Sequence, residues 1–141
     1  MFNKKEIGIA ILLIGLSVII RIVDNTFNLF HFTPVIAISL FSGTIIKDKK
    51  LAFATPFLAM LISDIYFQLF TNIPGFYGIS QVVNYSSVLL IVFIGSQIRS
   101  KNISNVVAYT LSSSLLFFIV SNFGVWLAGY YGYTMMGLGS C

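Results

Sequence analysis

Pro34-Val-Ile-Ala-Ile-Ser-Leu-Phe-Ser-Gly-Thr-Ile-Ile46, stopped at once by Lys47-Asp-Lys-Lys50, is the stretch on which the reading of the chain turns. Counted from Pro34 it is an apolar helix of about 13 residues, roughly 20 Å long against a hydrocarbon core of ~30 Å. Pro34 has the fixed φ suited to a first helical position, and Thr33 can cap it. A helix this short is expected to begin inside the outer half of a membrane rather than at its surface. Ahead of it, residues 24–32 are polar and aromatic, expected to be irregular, and carry the only histidine, His31.

The flanking sequence supplies the membrane. Residues are 57% hydrophobic and 9% charged, with a mean hydropathy of +0.96, whereas soluble domains carry about 25% charged residues. Apolar segments at about 7–23, 51–70, 80–98 and 104–128 join 34–46 as expected spans. Residues 135–141 look like the start of a sixth. The expectation is an all-α polytopic bundle forming one domain, 1–141, with Pro56 kinking its third span. Lys4 and Lys5 before an apolar run resemble a signal peptide. No small-x-small cleavage site follows, and Arg21 stands where one would fall, so the first span is expected to be retained.

Charge sets the topology. Lys4, Lys5, Lys47, Lys49, Lys50, Arg99 and Lys101 fall on one side, and Arg21 alone on the other. Basic loops face the cytoplasm, so the N-terminus is expected there, in the inner (cytoplasmic) membrane. A re-entrant 34–46 would break this alternation. The net charge of +4 follows the loops and gives no nucleic-acid signal. The single Cys141 excludes an internal disulfide.

Once oriented, the polar residues collect in the outer half. Arg21, Asp24, Asn25, Asn28, His31 and Thr33 lie at or after the end of span one. Asp64 and Gln68 share one helical face of span three. Gln81, Asn84 and Tyr85 occupy the first turns of span four, and Ser121, Asn122 and Trp126 the outer end of span five. A carboxylate inside a span costs roughly 2.5–3.5 kcal/mol on insertion scales, so Asp64 should face inward and be paired, with Arg21 as its natural partner. That pair either only holds two helices together or charges a binding cavity. His31 is either a ligand-facing hydrogen bonder or an interfacial loop residue. A half-helix starting at Thr33-Pro34 would aim free N–H groups into the protein; the alternative is an ordinary short span. Trp126, Tyr130, Tyr131 and Tyr133 fit an interfacial belt. Thr110, Ser114 and Ser121, like Ser39/Gly43 and Ala59/Ser63, read as helix-packing surface.

No phosphate-binding loop, G-x-S-x-G or H-E-x-x-H motif is present, so nucleotide hydrolysis, serine hydrolysis and zinc proteolysis have no support. One histidine with Asp24 and Asp64 makes a poor metal site. No catalytic residue, metal or cofactor is assigned.

The series His31-Phe-Thr-Pro-Val35, Leu40-Phe-Ser-Gly43, Ser63-Asp64, Phe117-Phe-Ile-Val-Ser-Asn-Phe-Gly-Val-Trp126, then Tyr131, Thr134, Gly137-Leu138 and Cys141 resembles a small uncharacterised prokaryotic membrane family. That family is carried as a domain of unknown function and labelled as a transport protein. Its pattern has Asn where His31 stands, Thr where Ser121 stands and Pro where Gly132 stands. Relatives continue past the cysteine with another apolar segment, so the chain is expected to be C-terminally truncated. Its size and layout are similar to the substrate-capturing S components of energy-coupling-factor transporters. The resemblance implies a six-helix fold, a vitamin-like or small polar solute, and a partner module of a coupling membrane subunit with ATPases.

The resulting expectation is a non-enzymatic solute-binding transport protein. Its outer cavity would be lined by Arg21, Asn28, His31, Thr33, Asp64, Asn84, Tyr85, Asn122 and Trp126, and its energy would come from a partner or a gradient. The alternative is a membrane scaffold, an envelope assembly factor of the rod-shape-determining type. A third reading makes His31 and Asp64 the acid and base of an intramembrane enzyme.

Overall fold

The computed structural model describes residues 3–27, 34–98 and 102–141, and every regular element among them is helical. In chain order these are α1 (Lys4–Phe27), α2 (Val35–Ile45), α3 (Lys49–Phe70), α4 (Ile79–Ser96), α5 (Ile103–Leu127) and the short α6 (Met135–Gly139). α1, α3, α4 and α5 are long and apolar enough to cross a membrane, whereas α2 is a shorter apolar helix. At eleven residues, α2 is roughly 16 Å long.

α1, α3 and α4 each bury one face, whereas α5 buries only Ser113 and Gly124. On α1 that face is Ala10, Leu13 and Ser17, spaced three and four apart, which places Arg21 next on the same face. The α3 stripe runs through Ala52, Ala59, Ser63 and Phe67 and packs along α1. α2 lies against α4 and α3, while α5 packs mainly along α4 and more lightly on α2. The outward faces stay apolar, with Leu12 at 69% and Leu111 at 66% exposure, as a lipid-facing surface requires.

The two ends of the bundle differ chemically. At one, the Asp48 N–H donates to Glu6 (3.4 Å) and the Thr44 hydroxyl to the Gly95 carbonyl (3.2 Å), so the Lys4–Lys5 and Lys47–Lys50 clusters share that end. At the other, Arg21 meets Asp64 and the Ser80 hydroxyl donates to the Gly124 carbonyl (3.1 Å). Val35 packs with Met60 and Val88, so α2 begins about one turn deeper than Asp64.

Two local expectations change. α1 does not stop near Val23 but continues to Phe27, taking in Asp24 and Asn25. No proline or glycine interrupts that segment, and the Thr26 hydroxyl bonds back to the Ile22 carbonyl at 2.8 Å. Pro34 stands just before α2 with no side-chain cap, and its carbonyl accepts from the Ile38 N–H at 2.9 Å. Thr33, the expected cap, lies outside the described residues, as do Asn28 and His31.

Pro56 sits inside α3, which continues past it. Having no N–H, it leaves the Ala52 carbonyl without its intrahelical donor. The buried Ser42 hydroxyl of α2 reaches that carbonyl at 3.0 Å, sharing its hydrogen with the Ser39 carbonyl at 3.0 Å. Ser42→Ala is therefore expected to cost about 1–3 kcal/mol through the orphaned acceptor, read as a lower unfolding midpoint. Adding Pro56→Ala, which restores the N–H, should recover most of the loss.

Candidate functional site

The last three turns of α1, the second half of α3 and the first two turns of α4 bring their polar side chains to one point. Asp64 is 1% exposed, and its Oδ1 accepts from Arg21 Nη2 at 2.8 Å. Its Oδ2 accepts from the Tyr85 hydroxyl at 2.7 Å and from Gln81 Nε2 at 3.0 Å. Arg21 spends its other nitrogen on the Met60 carbonyl (3.3 Å) and on the Ser63 hydroxyl oxygen, and its guanidinium carbon lies 5.6 Å from the Phe67 ring centroid. A planar fork with several fixed donors suits a crowded, desolvated position of this kind. One cation meets one anion, so the centre carries no net charge.

The loop between α3 and α4, residues 71–78, closes over this centre. The Gly75 N–H donates to Gln68 Oε1 (3.1 Å), and the Gly75 carbonyl accepts from Gln81 Nε2 (3.1 Å). A Cβ at Gly75 would overlap the Asp64 carbonyl oxygen, so only glycine lets the loop come this close. Gly78, with φ at +73°, turns the chain into α4. Tyr77 accepts from Asn84 Nδ2 at 3.2 Å, and burial pushes its phenol above the usual tyrosine range. Asn84 Oδ1 is buried with no hydrogen-bond partner among the described residues.

Arg21, Asp64 and Tyr85 are thus brought together, with Asn84 beside them through Tyr77. Asn122 and Trp126, on α5, make none of the hydrogen bonds of this centre. Trp126 donates its indole N–H to the Thr134 carbonyl at 3.1 Å, and its ring packs on Phe123 and Tyr133. It secures the turn into α6, whose first residues are capped by the Thr134 hydroxyl accepting from the Gly137 N–H at 3.0 Å. No cluster of three His, Cys, Asp or Glu side chains placed to hold a metal occurs among the described residues.

A family of unknown function, DUF6580, matches residues 2–141. The chain belongs to this family. The match covers nearly the whole chain, and it brings no activity with it. No curated protein and no solved structure is significantly similar to the chain.

Among DUF6580 residues, three at the centre were not assigned from sequence: Ser63, Gln81 and Tyr77. Gln81 carried a readable signal, because it precedes Tyr85 by four residues and so shares its helical face. Ser63 is adjacent to Asp64 but reads as a small packing residue. Tyr77 lies in an uncharged loop, and only the three-dimensional path of that loop brings it to Asn84.

Proposed function

We propose that this DUF6580 protein is a membrane transport protein that binds a small solute at the Arg21–Asp64 centre, in the outer half of the cytoplasmic membrane, with its N-terminus in the cytoplasm. The observation that carries the reading is this centre: a buried, charge-balanced cluster fed by three helices at one end of an otherwise apolar bundle. Intramembrane ionisable groups are costly, and a functional site is their default reading. The distribution of Lys and Arg supports the orientation. In this reading α2 is a fifth, shortened crossing, and α6 opens a sixth, as in S components. With no nucleotide-hydrolysing motif of its own, the protein draws energy from a coupling subunit or a gradient.

The test is thermal stabilisation of the reconstituted protein by a panel of vitamins, nucleobases and amino acids. A binder should lose at least tenfold in affinity, about 1.4 kcal/mol, in the Arg21→Gln/Asp64→Asn double variant, which keeps side-chain size and neutrality. Unchanged binding in that variant would remove the centre from the site.

One observation favours the scaffold alternative. Both Asp64 oxygens and both terminal Arg21 nitrogens are already engaged within the protein, as in a purely structural pair. Co-purification separates the two readings: cell-envelope enzymes favour the scaffold, and nucleotide-binding subunits favour transport.

A further inference from the structure

α3 and α4 are consecutive helices, yet they touch each other less than α1 touches α3 or α2 touches α4. A groove of about 410 Å³ runs between them, within the range of small-molecule sites. Its walls are apolar: Phe57 and Leu61 from α3, and Val82 and Leu89 from α4. The Phe57 ring stands edge-on to Tyr85 at 5.3 Å. Val82 is 65% exposed and Phe57 39%, so the groove opens sideways, where a membrane-embedded protein meets lipid rather than water.

Three polar side chains line the same groove: Gln81, Tyr85 and Ser86. Every hydrogen they can donate is already committed. Gln81 gives its amide hydrogens to Asp64 and to the Gly75 carbonyl. Tyr85 gives its hydroxyl hydrogen to Asp64, and Ser86 gives its own to the Val82 carbonyl at 2.8 Å. What remains on all three is acceptor capacity: the Gln81 carbonyl oxygen and the lone pairs of two hydroxyls. No charged side chain lines the groove, and the nearby Arg21 and Asp64 neutralise each other.

We infer that the α3–α4 groove receives an uncharged amphipath from the bilayer, its apolar body against Phe57, Leu61, Val82 and Leu89 and a hydroxyl or N–H donor at its polar end directed to Gln81. The inference rests on the solute-binding reading and narrows the solute to a lipophilic donor. A cation would lack a counter-charge in the groove, and a pure acceptor would meet only acceptors.

The probes are 2-naphthol, which has an apolar body and one donor, and 2-methoxynaphthalene, the same body without the donor. Each is titrated into nanodiscs holding the full chain, with empty nanodiscs subtracted. The expected result is saturable binding of 2-naphthol about tenfold tighter than that of the ether, the value of one hydrogen bond in an apolar site. Val82→Trp, which fills the mouth, and Phe57→Ala, which removes a wall, should each weaken 2-naphthol at least tenfold. Leu111→Trp on the far, exposed face of α5 should leave it unchanged. Equal affinity for the two probes would overturn the inference, since a groove that merely holds lipid tails does not distinguish them; so would binding indifferent to both Val82→Trp and Phe57→Ala. Should the groove variants have no effect while a solute from the panel still depends on Arg21 and Asp64, the lateral groove falls and the solute-binding centre stands. Should the double variant leave panel binding intact while donor-dependent binding in the groove persists, the centre falls and the groove stands.

Discussion

Asp64→Leu is expected to destabilise the folded chain by about 3–5 kcal/mol, the cost of stripping one partner from a buried ion pair. The Arg21 side chain is 17% exposed and held by the Met60 carbonyl and Ser63 as well as by Asp64, so it cannot swing out to water without abandoning all three. Gln81 and Tyr85 would each lose an acceptor in the same substitution. The Arg21→Met/Asp64→Leu double variant should recover the charge part of the loss, because two apolar side chains of similar volume leave no uncompensated charge, and keep the part due to the Gln81 and Tyr85 donors left without an acceptor. Unfolding in bicelles by a denaturing detergent reads both values. A single-variant cost below 1 kcal/mol would mean that Arg21 reaches the interface on its own and that the pair does not organise that end of the bundle.

Gly43→Ala should open the contact between α2 and α4, at about 3 kcal/mol, the upper part of the range for overpacking. An added Cβ there would overlap the Val92 carbonyl oxygen, and one at Gly95 would overlap the Leu40 carbonyl oxygen. Both obstacles are backbone, so no rotamer change relieves them and the helices must move apart. That separation would also break the Thr44–Gly95 hydrogen bond. The two substitutions share one interface, so their costs should not add. Gly15→Ala provides the contrast: nothing lies within 4 Å of its added Cβ, and alanine is the better helix former by about 1 kcal/mol. Unfolding midpoints of the three variants should therefore fall, fall and hold or rise.

These contacts show which parts of the molecule were readable in advance. Long apolar runs bounded by lysines announced α1, α3, α4 and α5, because a helix that must satisfy its backbone in lipid leaves a length and a composition behind it. The Arg21–Asp64 pairing was legible for a related reason: a carboxylate inside a span needs a partner, and Arg21 was the one cation assigned to the same side. Ser39 and Gly43 were readable as a small-residue face, though not that its counterpart would be Gly95. The fate of Asn122 and Trp126 was not legible. Depth along a helix can be counted from sequence, but rotation about its axis cannot when all faces are apolar, and Trp126 turns to the Thr134 carbonyl ahead of α6 while Ser121 bonds back to its own helix. Ser42 gave no warning either. Its role depends on a proline fourteen positions later, and that coupling exists only once α2 lies beside α3.

The Arg21–Asp64 pair also bears on how the chain enters a bilayer as it is made. α1 has the highest mean hydropathy of the four long helices, 2.4, and α3 the lowest, 1.4. An arginine at the centre of an inserting helix costs roughly 2.5–3.5 kcal/mol; Arg21 lies toward the C-terminal end of α1 and costs less, a load that α1, made before α3, has the apolar length to carry by itself. α3 has less to spare and carries an acid, a glutamine and a proline. Because synthesis runs from α1 to α3, the counter-charge for Asp64 is in place in the membrane before the segment that depends on it emerges. Reversing that order would ask the weakest of the four helices to partition alone.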